Sequence, residues 1–136
     1  MEGRPFALVG VNSDKKLEDA QEAVKKNELN WRSFQNEREG GSISDAWAIQ
    51  GWPTIVVMDA KRHIIYRGHD GHEATKVATK AVEKLEKHEA EKPAGKLGTE
   101  VGSFAPDITG LDLNSVAFNL YDHKGKVIML DFWGDW

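Results

Sequence analysis

Val127-Ile128-Met129-Leu130-Asp131-Phe132-Trp133 (VIMLDFW) lies close to the end of a chain of 136 residues, and it decides how the rest is read. The run is apolar at every position but one and shorter than an ordinary helix, so it predicts a strand covered on both faces. Such a strand needs neighbours, and the chain offers them far away in sequence. Phe6 to Val11 (FALVGV) has the same character and ends at Asn12, Ser13 and Asp14. Thr54 to Met58 (TIVVM) is a third run, and Asp59-Ala60-Lys61-Arg62 joins it to His63 to Tyr66 as an antiparallel hairpin.

Between these strands the period changes. Leu17, Ala20, Ala23 and Val24 recur at helical spacing behind Ser13 or Asp14 as a cap. Asn30 to Gly41 loses any period around Trp31 and Phe34 and reads as a loop with a turn or two of helix, followed by a short helix within Ser42 to Ile49. The strongest helix runs from Gly71 to about His88. Ala74, Val77, Ala78, Ala81, Val82 and Leu85 form its apolar stripe, and Asp70 with Glu73 would make a capping box. Glu89 to Glu100 (EAEKPAGKLGTE) has no apolar period and reads as a connector. Leu111, Leu113, Phe118 and Leu120 then suggest a small peripheral hairpin. The organisation expected is a half-domain at 1–89, a linker at 90–104 and a second half-domain at 105–136.

Composition narrows the function classes. With 18 Lys and Arg against 22 Asp and Glu the chain is mildly acidic, and no basic stripe interleaved with aromatics marks it for nucleic acid. No apolar run approaches the roughly 18 to 20 residues that cross a bilayer, so membrane insertion is not expected. There is no cysteine, which removes disulfides, thiolate metal sites and thiol catalysis from these residues.

Two stretches resemble the thioredoxin superfamily, and specifically its TlpA-like thiol-disulfide oxidoreductases, in inverted order. Ala105-Pro106-Asp107, Leu120 to Lys126 and the run Val127 to Trp136 (VIMLDFWGDW) resemble the first half of such a domain. Phe6 to Asn12, the helix after it, Gly51-Trp52-Pro53-Thr54 with Ile55 to Asp59, and Gly68 through Leu85 resemble the second half. The resemblance implies an α/β fold, a thioredoxin-like mixed sheet with flanking helices, in which Val127 to Trp133 lies between Phe6 to Val11 and the hairpin. It also implies that the Cys-x-x-Cys motif and its helix would fall after Trp136. The expected explanation is a segment cut from tandem repeats, with a circular permutant as the alternative. A sheet face left without that helix would favour self-association, as a homodimer or a domain swap.

The resemblance assigns roles residue by residue. Pro53 would be the cis-proline whose loop aligns an extended substrate, with Trp52, Thr54, Trp133 and Trp136 around the groove. Asp131 matches the buried acid beneath the dithiol, where desolvation would raise its pKa and let it shuttle a proton. The plainer reading of Asp131 is a strand carboxylate held by a structural hydrogen bond, and that of the tryptophans is packing. Dithiol-disulfide exchange with protein or peptide partners is the implied activity, without a bound cofactor and with an extracytoplasmic location, and this cysteine-free chain would not perform it alone. A peroxiredoxin-like parent and a noncatalytic peptide-binding module are the alternatives. His69-Asp70-Gly71-His72 has ligand-type side chains but no remote partner in the spacing, so a helix-capping loop is expected there rather than a metal site.

Overall fold

The apolar run Val127–Trp133 is a strand along its whole length, and it occupies the middle of a five-stranded sheet in the computed structural model, which describes residues 3–37, 41–87, 96–123 and 125–134. In chain order the elements are β1 (Phe6–Asn12), α1 (Leu17–Lys26), β2 (Arg32–Gln35), α2 (Ile43–Ala46), β3 (Thr54–Met58), β4 (Ile64–Gly68), α3 (Gly71–Glu86), β5 (Thr109–Leu111), β6 (Ala117–Asn119), a 3-10 turn (Leu120–His123) and β7 (Val127–Trp133). The sheet order is β2-β1-β7-β3-β4. β7 runs parallel to β1, from Phe6 opposite Val127 to Asn12 opposite Trp133, and antiparallel to β3, from Thr54 opposite Phe132 to Met58 opposite Ile128. The chain therefore has the α/β, thioredoxin-like mixed sheet with flanking helices that the sequence implied. Among the described residues no helix is long and apolar enough to cross a membrane.

Alternation along the strands divides the interior in two. Val9, Val11, Ile128, Leu130 and Phe132 point to one face, where they meet Phe34, Ile43, Trp47, Val56, Met58, Ile108 and Leu120 in the larger core. Val127 and Met129 point the other way with Ile55 and Val57, under Ala74, Ala78 and Val82 of α3. Phe6 and Leu8 pack at the margin of this second cluster and stay only partly buried. Asp70 caps α3 by accepting from the backbone N–H groups of His72 and Glu73. Only half of the expected capping box forms, because the Asp70 N–H donates to the Tyr66 hydroxyl at 3.2 Å.

Several local expectations are corrected. Residues 32–35, read as loop or helical turn, form β2, a parallel edge strand paired to β1 from Val9 opposite Arg32 to Asn12 opposite Gln35. Its single buried ring, Phe34, stacks on Phe118 with centroids 3.8 Å apart, so the β5–β6 hairpin expected at the periphery contributes to the larger core. Neither Ser13 nor Asp14 caps α1. Its N-cap is Lys16, without a side-chain bond, while the Asp14 N–H is taken by Asn12 Oδ1 at 3.0 Å. β4 begins one residue later than expected and runs two further. His63 instead bridges Phe104, and residues 102–105 line the outer edge of β4 through Gly102 N–H to Ile64 O at 2.8 Å and Ile64 N–H to Ser103 O at 2.9 Å. These bonds occupy the outer backbone groups of Ile64, at the start of that edge. Of the connector expected at 89–100, residues 89–95 lie outside the described residues, and Leu97 bridges Phe104.

Candidate functional site

Parallel β1 and β7 carry the chain to the same end of the sheet, and antiparallel β3 begins there. The segments just beyond the strand ends therefore cluster. The Ser13 N–H donates to Trp133 O at 2.8 Å, and the loop entering β3 stands beside both.

That loop is Gly51-Trp52-Pro53-Thr54, with the Trp52–Pro53 peptide bond cis. Side-chain contacts from both sides hold it. Trp52 Nε1 donates to Ser13 Oγ at 3.1 Å, the Thr54 hydroxyl donates to Gly51 O at 2.5 Å, and His69 Nδ1 donates to Pro53 O at 2.7 Å. The Trp52 side chain is still 40% exposed. Thr54 is buried, and its hydroxyl is spent inside the loop. Two cavities adjoin the loop. One, about 610 Å³, is lined by Gln50, Gly51, Thr54, Arg67, His69 and Glu100, and Arg67 is fixed there by donating to Thr99 O at 3.0 Å and Ala48 O at 2.8 Å. The other, about 590 Å³, is lined by Ser13, Asp14, Asn36, Ser42, Asp45 and Trp52 among others. His69 thus serves the loop and Asp70 the helix cap. Among the described residues no group of three or more ligand-type side chains converges for a metal ion.

Asp131 lies between Gly10 of β1 and Ile55 of β3 in register, on the face covered by α3. Its Oδ1 is buried and has no hydrogen-bond partner among the described residues. The structural hydrogen bond that would have been its plainer role is therefore missing at this oxygen. Burial in an apolar sheet disfavours the charged form and pushes the carboxyl from the ordinary 3.8 up to about 6. A carboxyl so placed exchanges its proton close to neutrality, which suits an acid-base group.

Beside it is an arrangement the sequence reading did not assign. A Cβ built on Gly10 would stand 2.2 Å from Ser33 Oγ, 2.6 Å from Trp133 Nε1 and 3.0 Å from Trp31 Nε1, so three polar groups close over this glycine. Trp133 Nε1 donates to Ser33 Oγ at 3.1 Å. The Trp31 indole N–H is buried without a partner among the described residues. The available signal was Gly10 itself, because a lone glycine inside an apolar strand marks a close approach.

Of the residues expected around the groove, Trp52, Pro53, Thr54 and Trp133 come together at one end of the sheet, and Asp131 lies two residues below Trp133 on the same side of β7. Trp136 lies outside the described residues. No family model matches the chain, and no curated protein or solved structure matches it.

Proposed function

We propose that this chain is a thioredoxin-like segment of a TlpA-like thiol-disulfide oxidoreductase, supplying the substrate-aligning loop and the proton-handling carboxyl of dithiol-disulfide exchange. One observation carries the reading: Val127–Trp133 is inserted between β1 and β3, which sets a desolvated carboxyl next to the strand that the Pro53 loop enters. In exchange, a thiolate attacks a substrate disulfide and the resolving thiol must lose its proton. Asp131 would accept that proton, and the loop would hold the substrate in extended form through backbone hydrogen bonds. The thiols themselves are not among these residues, since the chain has no cysteine.

The test is to extend the chain beyond Trp136 with a Cys-Gly-Pro-Cys helix and to follow insulin reduction by dithiothreitol. The extended protein should accelerate reduction, the 136-residue chain should not, and Asp131→Asn should slow the extended protein more above about pH 6, where the carboxyl is ionised, than below it. A folded extended protein that leaves the rate at background would overturn the reading.

A second reading, a noncatalytic module that holds a peptide, is favoured by the exposed Trp52 ring beside two cavities and by the missing cysteine. A peptide that shifts Trp52 fluorescence in the unmodified chain, together with a silent extended protein, would select it. A peroxiredoxin-like parent would instead predict peroxide reduction with a single cysteine placed after Trp136. Self-association through the face bearing Phe6 and Leu8 belongs to the same proposal, and sedimentation of wild type against Leu8→Glu tests it.

A further inference from the structure

Four arginines fall among the described residues, and three of them spend their N–H groups on protein acceptors. Arg4 binds Glu86, Arg32 binds Asp112, and Arg67 binds the carbonyls of Ala48 and Thr99. Arg62 has no hydrogen-bond or ion-pair acceptor for its side chain among the described residues, yet its side chain is held by aromatic contacts. Its guanidinium carbon lies over two rings, 3.7 Å from the Tyr121 centroid and 4.2 Å from that of Phe104. Its backbone is fixed too. Arg62 N–H donates to Asp59 O at 2.9 Å, and Arg62 O accepts from Ala105 N–H at 2.8 Å.

The position is one that arginine does not favour. Arg62 has φ +71°, in the left-handed region where glycine or asparagine normally closes such a turn. Backbone strain of this kind persists where the surroundings over-determine it, and it concentrates at binding sites. A guanidinium directs its N–H donors outward in its own plane, so contact with ring faces does not consume them. Arg62 lines a cavity of about 1050 Å³ with Ala60, Lys61, Tyr121, Asp122 and Gly125. Two nearby carboxylates each have one oxygen occupied by backbone N–H groups. Asp122 Oδ2 accepts from Asn119 N–H at 2.9 Å, and Asp107 Oδ1 accepts from Ile108 N–H at 2.8 Å and Tyr121 N–H at 3.0 Å.

We propose that Arg62, held over the rings of Phe104 and Tyr121 and assisted by Lys61, is a binding site for an oxyanion, the phosphate or carboxylate group of a small ligand. A planar fork meets two oxygens of such a group at once, and stacking has already removed the rotamer freedom that binding would otherwise cost. The site belongs to the β3–β4 turn and the 3-10 turn, away from the Pro53 loop, and does not depend on the function proposed above.

The experiment is a titration of the intact chain with inorganic phosphate, followed by ¹⁵N NMR at the arginine Nε–H resonances and the backbone amides, with sodium chloride at matched ionic strength as control. Saturable shifts are expected at Arg62 Nε–H and at the Lys61, Tyr121 and Gly125 amides, and no comparable change at Arg67. A parallel titration with acetate separates the two sources, and the tighter of the two names the ligand group. Arg62→Gly, which relieves the backbone, should abolish saturation, and Arg62→Lys, which keeps the charge but loses the fork, should weaken it at least about tenfold. Shifts that merely follow ionic strength, or that persist unchanged in Arg62→Gly, overturn the proposal. Should Arg62→Gly fail to fold, the wild-type titration and Arg62→Lys decide it.

Discussion

Leu130 and Leu8 sit on neighbouring strands of one sheet and face opposite ways. Leu130 is fully enclosed with Val9, Val11 and Phe132 among the side chains of α2, β2 and the 3-10 turn, whereas Leu8 lies at the edge of the α3 cluster with part of its surface in water. The contrast extends to polar groups. On the Leu130 side Asp112, a buried acid, is fully engaged: it accepts from the N–H groups of Asn114 and Val116 and from Arg32, and these bonds hold its carboxyl below the ordinary range despite burial. On the Leu8 side Asp131 is left with an unpartnered oxygen, and burial alone pushes it up to about 6. One face is finished as a core. The other keeps two buried polar groups, Asp131 Oδ1 and the Trp31 indole N–H, without a partner among the described residues, and the function proposed above would draw on that face.

The largest test of this division is a pair of truncations. Leu130→Ala should cost about 3 to 4 kcal/mol, because its cavity is closed on every side. Leu8→Ala should cost about 1 to 2 kcal/mol, since part of the side chain is already in water and no closed cavity remains. Urea unfolding of both variants measures the difference. Equal losses would mean that the two faces are equally closed.

Asp131→Asn sharpens the comparison through pH. A carboxyl raised from 3.8 to about 6 in the folded state favours the fold while it is protonated in both states, and that contribution is lost as pH rises through about 6. At roughly 1.4 kcal/mol per tenfold, the span corresponds to about 3 kcal/mol at most. The variant should therefore unfold at higher urea than wild type above about pH 6, and the gap should close below about pH 4. An unchanged gap across that range would show that Asp131 stays ionised in the fold and that its Oδ1 has a donor.

Legibility followed pattern length rather than face. Short, largely apolar runs declared β1, β3 and β7, and six apolar positions at helical spacing declared α3 on the less enclosed side. β2 was not legible because its sequence, Arg-Ser-Phe-Gln, carries one apolar side chain, and that ring is buried by Phe118 from 84 residues further along the chain. Periodicity within four residues cannot record such a partner. The cap of α1 was misread for a similar reason: the Asp14 carboxylate accepts locally from Asn12 Nδ2 at 2.9 Å, and Lys16 stands at the N-cap without a side-chain bond. At the site, the resemblance supplied Pro53 and Asp131, while Trp31 went unassigned because its significance depends on Gly10 and Ser33, two strands brought together only in the sheet.

Gly10→Ala tests that last point and should have the smallest effect of the three. The added methyl would meet Ser33 Oγ at 2.2 Å and Trp133 Nε1 at 2.6 Å, distances no carbon tolerates, so the bond between those two groups must open and the indoles must move outward. The atoms displaced are ends of side chains rather than backbone, which allows partial relief and sets the expected loss at about 1 to 3 kcal/mol. Tryptophan fluorescence should shift with it, because the Trp31 and Trp133 rings become more exposed to water. The other face should keep its hydrogen-exchange protection, since Val9 and Val11 point away from the methyl. A variant that loses protection evenly on both sides would show that the sheet responds as one body and that the division drawn above is only geometric.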